Sequence, residues 1–227
     1  MKRIRRYLSK RRTPKKSRET PSLAKDQLNW HEGDFTDFVE HPRFGRYPIR
    51  TGLNPETSFS GGVYLHWHSD PSCRIPFTAV IADTTKQDQP TVAVTHYYDS
   101  KRHCRDCKKP FIFFAQEQRY WYETLQFPLT SDCVRCVNCR QQERILSKQR
   151  AEYERLIQLD SLEVEERLNL VALGLNLVEH GLFGDRVLAQ LTARLNQLPA
   201  PIADDQLKLS SELRTKIDEM KLRNQQL

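Results

Sequence analysis

The chain has 227 residues, 38% of them hydrophobic and 29% charged, which supports one or two modest domains and excludes a single large core. Its 36 Lys and Arg against 29 Asp and Glu give a formal charge of +7. The apolar stretch over residues 77–82, broken only by Thr78, is far short of the ~20 residues a membrane helix needs, and no apolar stretch follows the basic amino terminus as in a secretory signal. The expectation is a soluble cytoplasmic protein, nuclear if the host is eukaryotic, with no membrane partner.

The first predicted element is a basic arm. Lys2, Arg3, Arg5, Arg6, Lys10, Arg11, Arg12, Lys15, Lys16 and Arg18 place ten cations in eighteen residues, with no acid among them. The remainder of the chain holds 26 basic and 29 acidic residues, so the positive charge belongs to the arm. Beyond Met1, only Ile4, Tyr7 and Leu8 are sizeable apolar residues there, too few to bury a core, and residues 1–28 are expected to be disordered alone. An arm of this density suits RNA or DNA, with affinity drawn from counterion release. It also suits a solubilising terminus or, in a eukaryote, a nuclear-import signal.

Residues 29–100 read as a β-rich, loop-rich segment. His41-Pro42, Tyr47-Pro48, Asn54-Pro55, Asp70-Pro71 and Ile75-Pro76 punctuate it, and short strands are predicted over 63–67, 77–82 and 91–97. From residue 19 to 100 six basic residues face eleven acidic ones, so this part of the chain should not itself seek phosphate. His66 and His68 flank Trp67 and would share one strand face, with Cys73 beyond them. Such a pair can hold a metal, although packing is the commoner role.

A zinc ribbon is predicted over 101–145. Cys104 and Cys107 form one CxxC, Cys136 and Cys139 another, with 28 residues between the pairs. Two such turns supply a closed tetrathiolate for one structural Zn2+, leaving no position for substrate or water. In a reducing compartment this pattern reads as metal binding rather than as disulfides. Cys133 extends the second cluster to CxxCxxC and offers an alternative ligand pair with Cys136. The residue after the second cysteine of such a turn often needs positive φ, which β-branched Val137 resists and Arg140 tolerates, in parallel with Lys108. That favours Cys136 with Cys139, and Cys133 stays the alternative. Of the aromatic residues between the two pairs, most are expected to build core, with Phe111 and Phe113 alternating on one strand face. Lys101, Arg102, Arg105, Lys108 and Lys109 are the local cations available to phosphate.

Residues 104–140 resemble a bacterial family of probable zinc-ribbon domains, the zf-trcl type, whose pattern is a CxxC, an aromatic strand, a short helix opening with Glu-Gln, and a closing CxxCR. Cys104, Cys107, Phe111, Phe113, Glu117, Gln118, Cys136, Cys139 and Arg140 match it. A weaker likeness reaches upstream from about residue 41 through HPRFGRYP, RIPFTAVIAD and VTHYYD. Lys108 stands where a glycine is common, and Cys133 is extra. The resemblance implies zinc and a ribbon fold, and carries no activity with it.

Residues 146–227 are predicted helical. Asp160 with Glu163 reads as a capping box; Leu168, Leu170, Val171, Leu173, Leu175, Leu177 and Val178 cover more than one helix face and imply burial among other helices. Gly181 and Gly184 mark a turn, Val187, Leu188, Leu191, Leu195 and Leu198 form the next stripe, and Leu209, Leu213, Ile217 and Met220 the last. The last helix is expected to close the bundle or to present a protein-partner surface. Together these elements predict an α+β protein: a disordered basic arm, a small β-rich segment with a treble, four-cysteine zinc ribbon, and an α-helical tail. No nucleophile–base pair, phosphate loop or paired catalytic carboxylates are recognisable, so a non-enzymatic role is expected. Nucleic-acid or ribonucleoprotein association leads, a protein-interaction adaptor using the C-terminal helices follows, and a thiol redox or zinc-sensing switch through Cys133 is the minor reading.

Overall fold

A computed structural model describes residues 30–56, 61–88, 90–201 and 203–224; the ten cations of the arm lie outside the described residues. The chain forms two compact units. The first comprises the chain up to Thr36, Tyr47–Lys101 and Phe113–Ser131, and the second Asp37–Arg46, Arg102–Ile112 and Asp132–Leu227. The architecture is α+β, with two small strand pairs and five α-helices among the described residues.

In the first unit regular structure is sparse. Strand β1 (Val80–Ile81) pairs antiparallel with β2 (His96–Tyr97), Val80 opposite Tyr97 and Ile81 opposite His96. The strand expected over 63–67 is reduced to isolated bridges at Val63 and Leu65, the latter with His96, because turns interrupt the chain before a ladder can extend. Helix α1 (Ala115–Arg119) continues directly into a π-helical turn, Tyr120–Thr124. Around these pieces Val94, Tyr97, Ala115 and Tyr122 form a small core, flanked by Val80, Ala82, Trp121 and Leu129. Side chains replace ladders as the main fastening. The Asp99 carboxyl group accepts the backbone N–H groups of Ile49 at 2.8 Å and Ala115 at 2.7 Å, while Gln118 donates to the carbonyls of Tyr98 and Phe113. Gln87 closes a ring of bonds with Val94 and the Tyr97 hydroxyl. Phe77 is held at φ 62°, unusual for a bulky residue, while its carbonyl accepts from Thr51 and Gly52 and its N–H donates to Asn54.

Strands β3 (Ser100–His103) and β4 (Pro110–Phe113) form a hairpin, and residues 104–109 at its tip carry the first cysteine pair. Phe111, Ile112 and Phe113 are all buried, so the strand is covered on both faces rather than alternating as expected.

In the second unit four helices dominate: α2 (Val137–Ile157), α3 (Val164–Glu179), α4 (Arg186–Asn196) and α5 (Asp204–Asn224). The expected ribbon–helix division at 145/146 falls inside α2, which is one uninterrupted helix from the second cysteine pair onward. Helix α3 packs against α2, α4 and α5, which is why its leucines surround it. Gly174 permits this closeness: a Cβ there would come within 2.7 Å of the Leu191 side chain and 3.0 Å of Tyr153. The cap of α3 lies three residues beyond the expected one. Glu163 is the N-cap, and the Glu166 carboxylate reaches back to its N–H at 3.2 Å, completing the box that Asp160 was expected to open. Leu188, Leu191 and Leu195 of α4 are buried, as are Leu213, Ile217 and Met220 of α5, in one core with Tyr153 and Leu156. Leu209 is exposed and Ser210 buried instead, so α5 closes the bundle through its later turns. No helix among the described residues is long and apolar enough to cross a membrane.

Candidate metal centre

The two halves of the centre are built differently. Cys104 and Cys107 sit on a tight turn closed by two bonds, the Cys104 N–H to the Lys109 carbonyl at 2.9 Å and the Lys108 N–H to the Cys104 carbonyl at 3.0 Å. Lys108 takes φ 62°, the left-handed conformation a glycine provides more easily. Cys136 is the N-cap of α2, and Cys139 lies in that helix's first turn. Arg140 is therefore helical, donating its N–H to the Cys136 carbonyl. Its expected positive φ is not found, because the second pair uses a helix start where the first uses a turn.

The four Sγ atoms lie within 4.8 Å of one another. Cys107 and Cys136 approach to 3.8 Å, close to the edge of about 3.8 Å that follows from Zn–S bonds of about 2.3 Å in a tetrahedron. An all-thiolate set of this size suits zinc and closes the coordination sphere. The residues present therefore hold one structural zinc. Cys133 is buried and its thiol points to the Arg135 carbonyl at 3.4 Å; it is not a member of the cluster.

The thiols of the site differ in how readily they ionise. Burial resists ionisation of Cys104, but the backbone N–H groups of Cys136, Cys107 and Asp106 outweigh it and bring the thiol down to about 6. Burial pushes the Cys136 thiol up, and burial with the neighbouring thiols does the same to Cys139. Zinc loading must therefore displace protons, which makes affinity depend on pH. Cys107 is exposed and Cys139 half-buried, so the cluster lies near the surface.

The cations around the turn are mostly engaged. Arg102 pairs with Asp132 at 3.5 Å, Arg105 approaches Asp106 at 3.7 Å, and Lys108 donates to the Arg105 carbonyl at 2.7 Å. In the first unit, Lys101 lies over the Phe35 ring. Of the five local cations expected to serve phosphate, Lys109 alone is exposed with no such engagement among the described residues.

The histidine pair is accounted for by packing. The His66 Nε2 bonds the Leu129 carbonyl and its Nδ1 accepts the His68 N–H, so both ring nitrogens are used. Its ring stacks on His68 and Tyr122. Cys73 directs its thiol to the carbonyls of His68 and Asp70. Among the described residues the four cysteines are the one cluster able to hold a metal.

What sequence reasoning missed is the helix start at the second pair. A signal was present: Lys108-Lys109-Pro110 follows the first pair, whereas no glycine or proline follows Cys139 before Gly174, as an unbroken helix requires.

A turn pair and a helix-start pair converging on one zinc define the class of small zinc-folded domains. Residues 98–148 match the family model described as a probable treble clef domain. No curated protein and no solved structure matches the chain. The zinc-binding domain is thus similar to that family over about a fifth of the chain.

Proposed function

We propose that this is a non-enzymatic, zinc-stabilised protein that associates with nucleic acid or ribonucleoprotein. The observation that carries the reading is the outer face of α2. At 100° per residue, Arg140, Arg144 and Lys148 fall in one row, roughly opposite Leu146, Tyr153 and Leu156, which face the bundle core. Arg144 and Lys148 are exposed, and Arg140 is half-buried at the foot of the row. Successive members rise by about 6 Å along the helix, a spacing suited to a run of phosphates. The ten cations of the arm add to this charge in sequence terms, and the zinc site supplies rigidity rather than chemistry.

Binding of short single-stranded RNA and DNA to the full chain, measured over a salt series, tests this. A steep fall in affinity is expected, with a log–log slope of about −0.7 to −0.9 per phosphate neutralised. Low sequence selectivity is expected too, since backbone contacts carry no base information. Deleting residues 1–18 should remove most of the slope. No binding to either nucleic acid at low salt would refute the reading.

A protein adaptor is the second reading, favoured by Leu207, Leu209 and Leu222 standing exposed on α5 and by a groove of about 500 Å³ lined by Tyr153, Ile157, Leu170, Leu191 and Arg194. Copurification of protein partners that survives nuclease treatment, with no salt-sensitive nucleic-acid binding, would put this reading first. A redox switch through Cys133 is disfavoured by that thiol's burial.

A further inference from the structure

The two ligand pairs of the zinc site are joined by a side chain that ligates nothing. Arg135 directs Nε to Asp106 Oδ2 at 2.7 Å and Nη1 to Glu143 Oε2 at 2.5 Å. Asp106 lies on the turn between Cys104 and Cys107, and Glu143 lies one helical turn beyond Cys139. Each arm of the guanidinium thus grips an element that carries one ligand pair. A backbone bond reinforces the same junction, the Arg105 N–H donating to the Val134 carbonyl at 2.8 Å.

We propose that Arg135 is a positioning residue for the zinc site, a bracket that holds the turn and the helix start at the separation four thiolates need around one ion. The inference rests on two features. The first is geometry: a planar, fixed fork suits a two-carboxylate bridge in a way a flexible ammonium does not. The second is partial burial. The Arg135 side chain is 23% exposed against 43% for Asp106 and 49% for Glu143, so the guanidinium, unlike its partners, is largely withdrawn from solvent, and both pairs share one fork where isolated surface ion pairs contribute little. Groups outside the ligand set that orient it commonly change metal affinity by about 10–100-fold.

The test uses the full chain loaded with zinc. Release is followed by colour development with excess 4-(2-pyridylazo)resorcinol, beside far-UV circular dichroism of the same samples. Arg135→Ala is expected to release zinc about 10-fold faster, with the helical signal and the unfolding midpoint of the bundle unchanged. Arg135→Lys, which keeps the charge but not the fork, should fall between the two. Asp106→Asn and Glu143→Gln should each speed release, and Arg135→Ala combined with Glu143→Gln should be no faster than Arg135→Ala alone. Native release from Arg135→Ala overturns the proposal, as does Arg135→Lys matching the unaltered protein, because then charge without the bracket suffices. If Arg135→Ala fails to fold, the two carboxylate variants decide: native release from both overturns it.

Discussion

The two units reach order by opposite means. In the helical unit one continuous core of leucine, valine and isoleucine is repeated at helical spacing on α3, α4 and α5. In the loop-rich unit the largest buried apolar side chains are mostly aromatic, Phe35, Tyr97, Tyr98, Phe114 and Tyr122 among them, and buried polar side chains join distant backbone: Asp99, Gln87 and Gln118 bind backbone groups up to 50 residues away. Apolar burial is non-directional and tolerates local error. A buried hydrogen bond is directional, and losing one partner leaves the other unsatisfied at about 1–3 kcal/mol. The helical unit should therefore respond to volume, and the loop-rich unit to single polar atoms and to pH.

Trp30, Trp67 and Trp121 are the protein's three tryptophans, and all lie in the loop-rich unit. Tryptophan emission thus reports on one unit and the far-UV helical signal on the other. The largest expected effect is on the metal. Structural zinc contributes on the order of 10–16 kcal/mol of apparent binding free energy, so Cys107→Ser or chelation should free the turn and fray the first turns of α2. The helices from Leu146 onward should persist, because their core contacts are apolar. Protein purified without chelator under reducing conditions should carry one zinc per chain by metal analysis. A collapse of the whole helical signal on chelation would show that zinc, not leucine packing, organises the bundle.

Next in size is Leu191→Ala. Leu191 is fully buried beneath Gly174 and Tyr153, and truncating such a leucine costs about 2–5 kcal/mol. Urea unfolding followed by circular dichroism should show it at full size, with zinc content unchanged. An effect below about 1 kcal/mol would mean that the core relaxes around the cavity and is less tightly packed than its burial implies.

This contrast also explains what could be read in advance. The helices, their order and their buried leucines were legible because periodicity is local and repeated. The ligand set was legible because thiolate spacing is itself the chemistry. The Glu163 cap was missed by three residues because two acidic boxes overlap, and only the reach of Glu166 selects between them. The short strands were overestimated because nothing local shows that residues 63–67 would form isolated bridges rather than a ladder. Asp99 and Arg135 were invisible, since their partners are distant in sequence: Ile49 for one, Asp106 for the other.

Asp99 makes the loop-rich unit sensitive to pH. Burial raises its carboxyl to about 7, against the opposing pull of the Ala115 and Ile49 N–H groups. The folded state thus holds a proton that the unfolded chain releases near pH 4. Stability from this group is full below about pH 4 and is lost as pH rises through about 7, by up to about 4 kcal/mol. Urea midpoints read by tryptophan emission should fall over that interval, and Asp99→Asn should flatten the dependence. A midpoint that rises over the same interval would mean that the two N–H bonds outweigh burial and that Asp99 is ionised in the folded state.

The smallest effect expected is that of Cys133→Ser, and it bears most directly on the ligand assignment. Cys133 is as buried as Cys104 and Cys136, so burial does not separate a ligand from a bystander here; the separation is by direction, with the thiol turned to the Arg135 carbonyl. A serine hydroxyl can donate to that same carbonyl, which limits the penalty for burying a more polar group to about 1 kcal/mol or less. Cys139→Ser, in contrast, removes a ligand at the first turn of α2. Zinc stoichiometry should stay at one for Cys133→Ser and fall for Cys139→Ser, with tryptophan emission unchanged in the first variant. The reverse pattern would move the second ligand pair to Cys133 and Cys136, leaving Cys136 at the N-cap as the single ligand at the start of α2.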